Sequence, residues 1–203
     1  MNLSKNLSKR ILIIIFLGFF IFLGLFLFLF FKDSTHTSLI PLVVKTTIPL
    51  GQGKDNFGLP VRLKIPNINV DAVVEDVGLT SDGAMEVPKG PDNVAWFDLG
   101  PHPGDNGSAV IAGHFGWKNS IPAVFDNLYK LKNGDKIIVE DDKGATISFV
   151  VRESRKYDAN ADASDVFGST DGKAHLNLVT CEGIWNSVKK GRPYRLVVFA
   201  DKE

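Results

Sequence analysis

Ile11 to Phe31 is an unbroken run of 21 residues drawn from Ile, Leu, Phe and Gly, without a single charge. As an α-helix it would be about 30 Å long, the thickness of a bilayer core. It is apolar on every side, as a lipid-exposed span should be. Lys5, Lys9 and Arg10 precede it, and Lys32 is followed at once by Asp33. The positive-inside tendency then places the N-terminus in the cytoplasm and everything after residue 31 outside. The run exceeds the roughly 7–15 apolar residues of a secretory signal, and Lys32 to Thr37 offers no small-x-small cleavage site. The expectation is an uncleaved single-pass anchor, with a cytoplasmic tail at 1–10 and a transmembrane helix at 11–31.

The anchor also distorts the charge balance. The 203-residue chain has 23 basic and 23 acidic side chains, but Lys5, Lys9, Arg10 and Lys32 lie before residue 33, where there is no acid. Residues 33–203 therefore hold 19 basic and 23 acidic groups, a net of −4. A mildly acidic outer part argues against nucleic acid as a partner. One cysteine rules out an internal disulfide, and no Cys/His cluster has zinc spacing.

Residues 32–59 read as a linker, with Pro41, Pro49, Gly51, Gly53 and Gly58 and no sustained period. From Val61 the texture becomes short strands between turns. Val61–Ile65, Val70–Val77, Ala84–Val87, Ser108–Ala112, Lys136–Glu140, Thr146–Val151, His175–Cys181 and Tyr194–Ala200 are the strand candidates. Pro91 to Asn106 reads as a long connection. Pro122 to Leu131 places Val124, Leu128 and Leu131 at helical spacing and predicts a short helix. Tyr157 to Gly172 reads as a polar loop with one helical turn around Asp165-Val166-Phe167. About eight short strands with little helix indicate an all-β sandwich or barrel, here a domain over 60–203.

Three features carry chemistry. Cys181, the lone thiol, ends the alternating stretch His175-Leu176-Asn177-Leu178-Val179-Thr180-Cys181. His114 follows the small apolar run Ser108 to Gly113, and Arg195 opens the otherwise apolar strand Tyr194 to Ala200. Each has an ordinary reading: a buried thiol, a turn histidine, a strand-edge cation. Together they form an acyl-transfer set of nucleophile, proton carrier and oxyanion stabiliser. Of the other histidines, His36 lies in the linker and His102 in a Pro/Gly loop. His175 is six residues from Cys181 on one strand, about 20 Å away. The acidic loop residues Asp141, Asp142, Asp158, Asp162 and Asp165 read as solvated, and no metal or cofactor is expected.

The pieces Ala112-Gly113-His114, Leu178-Val179-Thr180-Cys181 and Arg195-Leu196-Val197-Val198, in that order behind an anchor, resemble the sortases, membrane-anchored cysteine transpeptidases of bacterial surfaces. The similarity runs from about Val61 to Ala200 and is greatest to class F or the related D/E groups. Asn177 stands where the family often has Thr, which removes no group from the set. The resemblance implies a closed eight-stranded β-barrel with short helices. It also implies that Cys181, His114 and Arg195 are catalytic, that the Glu182 backbone N–H assists the oxyanion, and that Thr180 contacts the substrate backbone. Trp185, beside the cysteine, is expected to line the peptide groove. The implied reaction cleaves an LPXTG-like sorting signal between Thr and Gly through a thioacyl-enzyme. The protein is then passed to an amine of a cell-wall precursor or a pilin. A thiol hydrolase without transfer, and a tethered β-barrel that binds without chemistry, are the alternatives.

Overall fold

The computed structural model describes residues 57–188 and 190–203. The expected tail, spanning helix and residues 32–56 of the linker lie outside the described residues. Among the described residues, no helix is long and apolar enough to cross a membrane.

Eight strands build the domain: β1 (Pro60–Ile65), β2 (Val70–Val77), β3 (Val94–Phe97), β4 (Gly107–Gly113), β5 (Lys136–Asp141), β6 (Thr146–Asp158), β7 (Ala174–Glu182) and β8 (Tyr194–Lys202). They close into a barrel in the order β1-β2-β3-β4-β7-β8-β6-β5. The β2–β3 and β4–β7 pairs are parallel and the others antiparallel. One short helix, α1 (Ser164–Phe167), lies in the β6–β7 connection.

Alternation explains the inside. On β1, Leu63 and Ile65 are wholly buried, while Lys64 between them reaches Glu140 at 3.1 Å. Ile111, Ile137, Phe149, Leu176, Leu178 and Val198 fill the same core from other strands. Each such side chain contributes about 1.5–3 kcal/mol by leaving water. The outer face of β4, β7 and β8 is covered as well. There Val110, Val197 and Phe199 form a second apolar cluster with Val166 of α1, joined by Met85, Phe97, Ala163 and Val179. Burial on both faces is why β4 and β8 read as nearly continuous apolar runs.

Four local expectations change. The helix expected at Pro122–Leu131 is absent; a 3-10 turn at Leu128–Lys130 replaces it. The N–H groups of Asp126, Leu128, Lys130 and Leu131 bond three residues back, at 3.0, 3.1, 3.0 and 3.2 Å, so the segment closes in successive tight turns, while the N–H groups of Val124 and Phe125 go to the distant carbonyls of Pro91 (2.8 Å) and His114 (3.0 Å). Ala84–Val87 forms no strand. Thr80 N–H bonds Ala84 O at 2.8 Å and Glu86 N–H bonds Gly78 O at 3.0 Å, which folds the segment into a tight loop. The eighth strand is instead Val94–Phe97, inside the stretch read as a connection. β6 runs on to Asp158 because β8 supplies ladder partners for its polar half. Phe57 packs on the core and Gly58 N–H donates to Asp141 at 2.8 Å, so the end of the linker is bonded to the barrel.

Candidate active site

Three side chains meet at one rim of the barrel, brought there by register, and His114 follows the end of the next strand. Cys181 is the penultimate residue of β7 and lies directly opposite Arg195 of β8. Tyr157 of β6 lies opposite Arg195 on its other side. On the remaining flank β4 runs parallel to β7, with Ala112 level with Val179. β4 ends at Gly113, one residue past that pair, and His114 follows it, while Cys181 lies two residues past Val179 on β7. The row set by the ladders is therefore Tyr157, Arg195 and Cys181, with His114 just beyond the end of β4.

The pleat sends these residues to the outer face. Leu176, Leu178 and Thr180 point inward, whereas Val179 and Cys181 face outward. Cys181, Arg195 and Tyr157 line a cavity of about 680 Å³. Ala112, Val179 and Val197 form its floor, Leu79, Met85 and Val87 one wall, and Ala161, Ala163 and Phe167 the other. The cavity is thus an apolar groove outside the barrel wall that ends at a half-exposed thiol. It holds extended peptide with apolar side chains more readily than a charged ligand.

His114 is not part of that lining. Its Nε2–H donates to the Pro88 carbonyl at 2.8 Å, and its ring meets Trp117 edge-on at 4.6 Å. The bond to a carbonyl fixes Nε2 as the protonated nitrogen, so in the neutral ring Nδ1 holds the lone pair. Gly113, just before it, has no room for a side chain: a Cβ there would sit 2.5 Å from the Phe125 ring. The Arg195 Nη1 donates to the carbonyls of Arg192 (3.2 Å) and Tyr194 (3.0 Å), which holds the guanidinium at the strand start. Burial pushes the Tyr157 hydroxyl above its usual range, and its bond to Asp165 at 2.7 Å adds to this. Tyr157 therefore stays a neutral phenol at the groove edge.

The remaining expected residues are placed differently. Thr180 is buried on the inner face, and its hydroxyl donates to the Gly113 carbonyl at 2.7 Å. The hydroxyl thus bonds the ends of β4 and β7 together and does not face the groove. The Glu182 carboxylate bonds Lys156 at 2.9 Å through Oε1, while Oε2 is buried without a partner. Trp185 is 57% exposed on the β7–β8 loop. His175 is far from the rim, held by Asp201 (2.7 Å) and Asp171 (3.0 Å). Sequence reasoning missed Tyr157 and Arg192. Tyr157 lies past the point where β6 was expected to end, and Arg192 sits in a Gly-Arg-Pro loop with no periodic signal.

A closed barrel with a thiol and an arginine at the end of an apolar peptide-sized groove defines a class: cysteine-type transpeptidases of the β-barrel kind. Within it, the Sortase domain family model matches residues 63–203, and the chain belongs to the sortase family. It is a sortase-type cysteine transpeptidase.

Solved structures agree in fold. Sortase C-1 from Actinomyces oris is 23% identical, with 71% of this chain and 74% of that one covered and a TM-score of 0.57. A lid mutant of sortase A from Corynebacterium diphtheriae is 21% identical over 72% of this chain and 71% of that one, with a TM-score of 0.56. A Clostridium perfringens sortase D5 transpeptidase is 26% identical over 72% and 79%, with a TM-score of 0.53. Classes A, C and D score alike, so fold likeness does not separate the subclasses. No curated protein sequence matches the chain.

Proposed function

We propose that Cys181 is the nucleophile, His114 the proton carrier and Arg195 the oxyanion donor of a sorting reaction at the outer face of a membrane, with residues 11–31 as the anchor. The observation that carries this is the Cys181–Arg195 pair at the end of the apolar groove. The substrate is a secreted protein with an LPXTG-like signal, its apolar end in the groove and its Thr carbonyl over Cys181. The thiolate attacks that carbonyl carbon. Arg195 and the Glu182 N–H hold the oxyanion. The Thr–Gly C–N bond breaks as His114 gives its proton to the leaving amine, and a thioester remains. An amine of a cell-wall precursor or a pilin then attacks the thioester, His114 takes its proton, and the C–S bond breaks to restore the thiolate.

The full-length chain in detergent, incubated with LPXTG-type peptides, tests this reading. A thioacyl adduct on Cys181 seen by mass spectrometry, and absent in Cys181→Ala, is the expected result. Added amine should convert the adduct to a transfer product. Cleavage without any amine product would make the enzyme a hydrolase instead. No adduct with any of several sorting-like peptides would end the assignment.

A further inference from the structure

Arg192 touches Arg195 and the segments that follow Cys181 and His114. Its Nη1 donates to the Gly183 carbonyl, two residues past Cys181. Its guanidinium lies over the Phe115 ring at 4.7 Å, one residue past His114. A Cβ on Gly116 would come within 3.0 Å of its Nη2, so the same fork rests against that backbone. Its own carbonyl accepts from Arg195 Nη1 at 3.2 Å. Gly116 (φ +64°) and Gly183 (φ +94°) both take left-handed turns that bring their segments up to the fork.

The base of the β7–β8 loop is rigid enough to transmit this. Asn186 and Gly191 exchange backbone bonds at 2.9 and 3.3 Å, and Ala159 N–H bonds the Pro193 carbonyl at 2.8 Å. Beyond that bridge Val188 is 89% exposed, with its N–H on the Asn186 side-chain oxygen at 3.0 Å. Arg192 therefore sits at the held base of the loop.

We propose that Arg192 is a positioning residue that fixes the segment after His114 against the segment after Cys181 and keeps Arg195 at the oxyanion position. The inference rests on the catalytic roles given to those three residues above. Only arginine suits the place. A planar fork stacks on an aromatic face and donates in its own plane at once, whereas a lysine ammonium does one or the other. A drift of about 1 Å between thiol and imidazole is enough to cost on the order of 100-fold in rate.

The test is steady-state kinetics of Arg192→Ala, Arg192→Lys and the milder Arg192→Gln, alongside thermal melts. The expected result is a fall in kcat of roughly 10–100-fold for Arg192→Ala. KM for the sorting peptide should stay within about twofold, because other residues build the groove. Added guanidinium ion should recover part of the loss in Arg192→Ala, and Arg192→Lys should recover little. Unchanged kinetics would overturn the proposal, as would a rise in KM alone. So would a loss of activity that only follows a loss of folded protein in all three variants. The wild-type thioacyl adduct serves as the control. Its absence would mean that the catalytic assignment has failed, whereas a wild-type adduct with an unimpaired Arg192→Ala would refute the positioning role alone.

Discussion

His114 donates its Nε2–H to the carbonyl oxygen of Pro88 at 2.8 Å. The partner is backbone, it can only accept, and it lies in the loop that also walls the groove. One ring nitrogen is thereby committed, which leaves Nδ1 for the proton exchange proposed above. In Cys181→Ala protein, ¹⁵N NMR of the neutral His114 ring should show the Nε2–H tautomer. A dominant Nδ1–H tautomer would contradict the bond and the proton route drawn from it.

Arg195 should be separable from Arg192 in its effect. Arg195→Ala removes a donor aimed at developing charge, and a loss of about 100–1,000-fold in kcat is expected. Arg195→Lys keeps the charge but not the fork and should stay at least tenfold impaired. Stopped-flow acylation rates with a sorting peptide would check both. A loss confined to KM would assign Arg195 to binding.

Gly113 is a steric prediction. Gly113→Ala puts a methyl group against the Phe125 ring, and Phe125 N–H also holds the His114 carbonyl. Overpacking of this kind costs about 1–3 kcal/mol. Denaturant melts should show that loss together with lower activity. Phe125→Leu in the same chain should return part of the stability by making room. If Gly113→Ala alone melts like wild type, the ring is not a wall.

Acid stability should depend on the far end of β7. The hydrogen bond to His175, helped by the N–H of Lys173 and the Ser169 hydroxyl, holds the Asp171 carboxyl well below the usual carboxylate range. A depressed folded-state value means that the unfolded chain binds the proton more readily. The stabilisation is therefore complete above the unfolded value of about 4 and is lost as pH falls from there toward the folded value. The gap in melting temperature between wild type and Asp171→Asn should be constant above about pH 5 and shrink progressively as pH falls below about 4, closing only near the folded value. A gap that stays constant through that fall as well would show that Asp171 is not the titrating group.

Much of the barrel was legible because its strands obey a period of two. β2 starts and ends at the residues the alternation predicts, Val70 and Val77. The short β3 was not legible. Val94, Ala95 and Trp96 are buried outright, so the strand has no alternation, and Pro, Gly and Asp surround it. The helix expected at 122–131 failed because its N–H groups close tight turns three residues back, with the start of the segment tied to Pro91 and His114 through Val124 and Phe125. At the rim, chemistry pointed to Cys181, His114 and Arg195; register sets Cys181 opposite Arg195, and His114 follows the end of β4. The face that Thr180 presents could not be read, since a strand-end hydroxyl fits groove or core equally well. Pro88 and Arg192 act through a carbonyl and through a loop, and neither leaves a mark in residue spacing.

The parallel β4–β7 contact has a consequence for how the protein comes to life. Thr180 reaches back 67 residues to Gly113, and Arg195 arrives on β8, which follows every other strand in the chain. Contacts so distant in sequence form late and slowly. Until β7 docks beside β8, the thiol has no guanidinium opposite. With the catalytic roles proposed above, a nascent or half-folded chain would carry an unarmed cysteine, and closure of the barrel would do for this protein what a cleaved pro-segment does for others.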